Sequence, residues 1–252
     1  MKIPRLLLLS CLALFPVAVK AAQPVLLELF TSQGCSSCPP AEEVLNGLLA
    51  NPDPANPIIA LAFHVDYWDR LGWKDRYASP GATARQYRYA ESFKSDRVYT
   101  PQLILNGTVE FLGSNRDRAD RALKAAQSTP RATIELQMGA PENPSARIAI
   151  SKLQALKPAD AIHLYCALTE DHRKDHIERG ENAGRTLHQM AVVRHLQDLG
   201  PLPPGEDEFT TTLPLTLDPE WNVDRLNLVV FLQSNGIGPI LGLTAKPIRP
   251  RP

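Results

Sequence analysis

The chain is expected to form an α/β domain with a helical insert, followed by an antiparallel β-sandwich. Three observations lead there. Two continuous apolar runs, residues 25–30 (VLLELF) and 58–65 (IIALAFHV), bracket a stretch with helical apolar spacing. The pair Asn106-Gly107 sits between two short apolar segments, the strongest short-range hairpin signal. Beyond residue 128 the apolar residues alternate in successive short runs, the pattern of half-buried antiparallel strands.

Residues 25–30 predict a buried strand, since a strand covered on both faces has no polar side to alternate with. Thr31 to Gly34 is turn-like. Cys35-Ser36-Ser37-Cys38 then leads into Pro39-Pro40 and a helix with Val44, Leu45, Leu48 and Leu49 on one face. Proline suits a first helical turn, where the N–H has no intrahelical partner. Residues 51–57 hold three prolines and form a loop before the second buried strand at 58–65. The insert, about 67–97, carries Ser79-Pro80, a cap and first-turn signature for a helix running to about Phe93. Residues 102–105 and 108–112 make the hairpin, and 115–126 an amphipathic helix with Ala119, Leu123 and Ala126 on one side. After the change of composition at Ser128-Thr129-Pro130, period-two runs follow at 134–138, 148–150, 162–168, 213–217 and 226–232. One helical stretch, 185–199, is expected to interrupt them. The expected division is 22–128 and 129–252.

Ahead of both lies an expected address. Lys2 and Arg5 precede a mostly apolar run at 6–19, and Val19-Lys20-Ala21 places small residues at a signal-peptidase site. The run is short of the roughly 20 residues needed to span a bilayer. A lipoprotein signal ending at Leu9-Ser10-Cys11 is the alternative. Cleavage after Ala21 removes Lys2, Arg5 and Lys20 and leaves 24 basic against 27 acidic residues, a mature charge of −3. The expectation is a periplasmic or secreted protein with no membrane span in the mature chain. At 44% apolar and 21% charged, the 252 residues are globular in composition and not disordered. A formal charge of zero across the whole chain gives no basis for a nucleic-acid or membrane-surface partner.

Cleavage would leave Cys35, Cys38 and Cys166 in a compartment where disulfides persist. A C-x-x-C at a strand-to-helix junction has a chemical consequence. Free N–H groups and the positive end of the helix dipole would lower the pKa of the first thiol. A thiolate there can attack a substrate disulfide and be released by the second thiol. Cys35 is then the exposed nucleophile and Cys38 the resolving thiol. Two other readings stay open. The pair could be half a zinc site, although only Cys166 remains to complete it and none of the six histidines stands in a ligand motif. It could also be an inert structural disulfide.

The segments VLLELFTSQGCSSCPP and VYTPQLILNGTVEFLG together resemble the thioredoxin superfamily, in which a proline before a hairpin strand packs on the active-site disulfide. The resemblance implies a cis proline at Pro101, preceded by Thr100 in the substrate groove. FHVDYW leading into a helical insert is more similar to the DsbA-like branch. FTSQGCSSCPPAE, FHVDYWDRLGW, YTPQLILNG and GENAGRTL resemble a family of bacterial secreted thioredoxin-like proteins of unassigned function, over nearly the whole mature chain. What this implies is thiol–disulfide exchange with no cofactor, on a protein or small-molecule thiol or disulfide, with a redox partner protein. Such proteins place an acid on the strand before the first cysteine. Glu28 occupies that strand and is the candidate to move a proton to and from Cys38; its plainer reading is a surface acid.

Other residues invite a role. His64 and Asp66 end the second strand and could tune the thiolate. They could also join Cys35 and Cys38 in a copper carrier, since thiolate and imidazole suit Cu(I). Trp68 and Trp73 either line the substrate groove or pack the insert on the sheet. Cys166 alternates in phase with Ile162, Leu164 and Leu168 and is expected in the sandwich core. Residues 180–186 (GENAGRT) are too polar for a core and are expected to form a loop facing the first segment.

Overall fold

The computed structural model describes residues 23–54, 57–126, 131–156 and 160–249; the expected signal, its Ala21 cleavage site and Cys11 lie outside them. β1 (Val25–Thr31) is buried at all seven positions and runs parallel to β2 (Ile58–His64), in register from Val25↔Ile58 to Thr31↔His64. Burial on both faces explains why neither strand alternates. α1 (Pro39–Ala50) connects them and lays Leu45 and Leu48 on one face of the sheet, against Leu27 and Leu29. A 3-10 turn, Asp66–Leu71, and α2 (Pro80–Ser92) follow; α2 seals the opposite face, where Ala82 and Tyr89 meet Leu26 and Phe30. The Ser79 hydroxyl accepts from the Ala82 N–H and fixes where α2 begins.

β3 (Gln102–Leu105) pairs antiparallel with β1, and β4 (Val109–Leu112) with β3. Asn106 and Gly107 both have positive φ, 48° and 69°, as a tight hairpin turn requires. A side chain on Gly107 would also collide with the Gly238 carbonyl. α3 (Arg116–Ala125), capped by the Asn115 side chain, completes this half.

The remaining strands are β5 (Thr133–Met138), β6 (Ser145–Ser151), β7 (Ile162–Glu170), β8 (Arg173–His176), β9 (Thr186–Gln189), β10 (Val192–Pro201), β11 (Phe209–Pro214), β12 (Leu226–Ser234) and β13 (Ile240–Pro247). The helix expected at 185–199 is instead β9 and β10, parted by a left-handed Ala191 with φ 54°. Its residues are held by pairing that no local spacing reveals: β10 runs antiparallel to β7 and makes one parallel pair, Val192↔Ala62, with β2.

That pair joins the two halves. One eight-stranded sheet runs β13-β12-β7-β10-β2-β1-β3-β4, so the expected division near residue 128 is not a break in the sheet. A second sheet, β11-β6-β5, covers its far end, with Ile134, Ile148, Leu164, Cys166, Leu228 and Val230 between the layers. Cys166 is 2% exposed, and burial pushes its thiol up to about 12, which leaves it inert. β12 is buried almost throughout because Val229 and Phe231 on its other face meet the α2 core. Among the described residues no helix is long and apolar enough to cross a membrane.

Candidate active site

Past Thr31 the chain makes two tight turns, with the Cys35 N–H on the Ser32 carbonyl and the Cys38 N–H on the Cys35 carbonyl, each at 3.2 Å. They bring the Cα atoms of Cys35 and Cys38 to 5.4 Å, and the two are joined as a disulfide. The helix begins only at Pro39, with Cys38 as its N-cap. This corrects the expected source of thiolate stabilisation. Pro39 and Pro40 have no N–H, and the Ala41 and Glu42 N–H groups are taken by the Cys38 carbonyl. Hydroxyls surround Cys35 Sγ instead: Thr100 Oγ1 donates to it at 3.4 Å, and Ser37 Oγ lies 3.3 Å away with its proton shared with the Thr100 carbonyl at 3.4 Å. Trp68 Nε1 donates to Thr100 Oγ1 at 2.8 Å, which leaves the threonine proton free to point at sulfur.

The Thr100–Pro101 peptide bond is cis. Gly113 donates its N–H to the Pro101 carbonyl at 3.0 Å, and a Cβ there would stand 2.9 Å from Leu29, 3.0 Å from Ala41 and 3.4 Å from Pro101. Glycine at 113 thus lets β4, α1 and the proline loop close together beside the disulfide.

Cys35 is not the exposed thiol that was expected: both cysteines are 0% exposed, while Ser36 and Ser37 between them face solvent. The cover comes from the other half of the chain. Residues 177–185 form the tip of the β8–β9 hairpin, closed by Ile177 N–H to the Arg185 carbonyl at 2.9 Å. Its Asn182 is 0% exposed and donates through Nδ2 to the carbonyls of Gln33 at 2.8 Å and Cys35 at 2.9 Å. Glu181 accepts the Ser36 N–H at 3.0 Å. Trp73 Nε1 donates to Gln33 Oε1 at 3.0 Å, so both insert tryptophans anchor the site by their N–H groups. The loop GENAGRT marked itself by its polarity, but Asn182 as a clamp was not foreseen.

Glu28 does not serve Cys38. On β1 it lies on the α2 face, whereas α1 packs on the opposite face, and it is 0% exposed with its carboxylate 2.6 Å from Arg85 Nε. Strand alternation separates the two faces. The acid on the correct face is Glu42, one turn along α1 from Cys38, accepting from Thr31 Oγ1 at 2.8 Å and Gln189 Nε2 at 3.3 Å. Nearby, His64 Nδ1 meets Asp75 Oδ2 at 2.6 Å with both side chains fully buried.

Burial alone would push the His64 imidazole down, but Asp75 outweighs it and holds His64 above its ordinary 6.5. Burial would raise Asp75, and the His64 charge with N–H bonds from Gln33 and Tyr77 holds it below 3.8. Burial raises Glu42 above 4.5, partly offset by His64. The signs decide a pH window. A raised His64 stabilises below pH 6.5 and loses that stability as pH climbs through its folded value; the raised Glu42 loses in the same direction. The lowered Asp75 stabilises above pH 3.8 and loses on acidification. The melting temperature is therefore expected to fall as pH rises above about 6.5. His64→Gln should flatten that slope, and a slope unchanged in the variant would sink the assignment.

His64 is thus committed to Asp75, and Asp66 accepts from Thr83 Oγ1 at 2.6 Å at the foot of α2. Neither joins the cysteines. Among the described residues no group of three or more His, Cys, Asp or Glu side chains could hold a metal ion.

A disulfide turn clamped between a cis-proline loop and a hairpin tip defines the site. Residues 26–233 match the model of a family described as protein of unknown function, DUF1223, and the chain belongs to that family. No curated protein matches it. Among solved structures it is similar to a crystal structure of an Agrobacterium tumefaciens protein from a structural-genomics consortium. The two share 27% identity with a TM-score of 0.70, over 92% of this chain and 98% of that one. It is also similar to HBP35 of Porphyromonas gingivalis, at 14% identity and a TM-score of 0.67, over 90% of this chain and 76% of that one, a likeness of fold alone.

Proposed function

We propose that the protein is an exported thiol–disulfide oxidoreductase, with a thioredoxin-like frame in residues 22–128 and Cys35–Cys38 as its reactive pair. The observation that carries this reading is the disulfide itself, with the Thr100 hydroxyl on Cys35 Sγ and the cis Thr100–Pro101 bond beside it. The order β1, C-x-x-C, α1, β2 and then a cis proline before an antiparallel hairpin supports the frame. The apolar leader at 6–19 supports export to a compartment where disulfides last.

In the reduced protein the Cys35 thiolate, held by the Ser37 and Thr100 hydroxyls, attacks one sulfur of a substrate disulfide. A mixed disulfide forms and one substrate thiolate leaves. Cys38 passes its proton to the Glu42 carboxylate and attacks Cys35 Sγ; the second substrate sulfur leaves as a thiolate and Cys35–Cys38 closes. The substrate gains two electrons and the enzyme pair loses them, to be restored by a dithiol partner. With a dithiol substrate and a disulfide partner the same steps run in reverse.

The complete burial of both sulfurs favours a second reading, a binding module in which the pair is a permanent staple. Equilibration with a glutathione series, alkylation and mass analysis separates the two. A potential between about −120 and −270 mV supports exchange, and one below about −300 mV supports the staple. Cys38→Ser is expected to form a stable mixed disulfide with oxidised glutathione at Cys35, and Cys35→Ser to form none. Equal labelling of the two variants would count against the assigned roles.

A further inference from the structure

Away from the disulfide, beyond the start of β1, a pocket of about 420 Å³ opens between α3, the β3–β4 hairpin and the start of β13. Its walls are apolar, with Leu105, Val109 and Ile240 among them, and among the described residues its formal charges are all positive: Arg118, Arg121 and Arg131 line it and no carboxylate does. Arg131 is the unusual member. It is 9% exposed, donates Nη1 to the Pro24 carbonyl, and keeps a buried Nε with no partner. Among the described residues it forms no ion pair with Asp or Glu, and burial depresses its guanidinium with nothing opposing. The acid beside the rim, Asp120, faces Arg116 at 3.0 Å. Buried charges in proteins are paired as a rule, because an isolated one is costly. A buried, unpaired guanidinium at the wall of an open pocket therefore asks for an anion from outside.

We propose that this pocket binds an organic monoanion with an apolar body, of the alkanoate class. The carboxylate meets Arg131, with Arg118 and Arg121 adding positive potential, and the tail lies along Leu105 and Ile240. The size suits a small molecule. Three guanidiniums that meet no carboxylate among the described residues select an anion, and the apolar walls select against a bare inorganic one. The site is independent of the Cys35–Cys38 chemistry.

The test is calorimetric titration of the full chain with alkanoates of about eight to twelve carbons, beside the matching neutral alcohol and inorganic phosphate. Saturable one-to-one binding of the alkanoate is expected, at least roughly tenfold tighter than either control, since a hydrogen bond to a charged group is at stake. Arg131→Met should weaken alkanoate binding by roughly tenfold or more, spare the alcohol, and leave the ligand-free melting temperature unchanged or higher. The double variant Arg118→Gln, Arg121→Gln changes exposed residues only and should weaken binding several-fold without touching the fold. Absence of saturable alkanoate binding, alcohol or phosphate bound as tightly, or affinity unmoved in both variants would overturn the proposal.

Discussion

Replacing Arg85 with methionine is expected to destabilise the protein by about 3–5 kcal/mol, measured by urea unfolding. Arg85 reaches from α2 to the centre of the sheet. Its Nε lies 2.6 Å from Glu28 on β1, and its Nη2 donates to Gln233 on β12 at 2.9 Å. The guanidinium also rests 5.6 Å from the centres of the Phe63 and Phe231 rings and 5.4 Å from that of Tyr165. Methionine fills similar volume but leaves the Glu28 carboxylate buried with only the Tyr89 hydroxyl. Glu28→Gln strands the guanidinium instead and should cost a comparable amount. The decisive comparison is the double variant Arg85→Met, Glu28→Leu, expected to be far less destabilised than the sum of its parts because both desolvated charges go together. Additive losses would mean that the pair does not act as a unit.

Asn182→Ala should act on the disulfide without touching it. The variant loses two hydrogen bonds to the backbone of the cysteine turn, each about 1 kcal/mol. The hairpin tip then leaves the turn more often, and Cys35 Sγ becomes reachable. Reduction by a small dithiol should quicken roughly tenfold or more, with a much smaller change in global stability. An unchanged rate would show that the route to Cys35 does not pass beneath the tip.

Much of the first half was legible from local pattern. β1, α1, β2, the Asn106-Gly107 turn and the Ser79 cap lie where apolar runs, prolines and a capping residue place them. Residues 185–199 read as a helix because Val192, Leu196 and Leu199 stand at helical spacing; the deciding contacts are to β7 and β2, far along the chain. The site failed in the same way. Glu28 stood on the right strand, but which face it takes depends on Arg85, 57 residues on. Cys35 looked exposed because nothing near it in sequence covers it. Polarity alone could not tell a solvated loop from one whose single asparagine is spent on two carbonyls.

The clamp from Asn182 to the Cys35 carbonyl spans 147 residues of chain. β1, α1 and β2 are all encoded by residue 64. A polypeptide emerging from its N-terminus can form that early unit first. Cys35 and Cys38 are then neighbours while their cover is still unsynthesised or on its way. In any state in which the hairpin tip has not docked, the cysteine turn lacks the Asn182 contacts, so an oxidant is expected to reach the pair more easily there than in the closed fold.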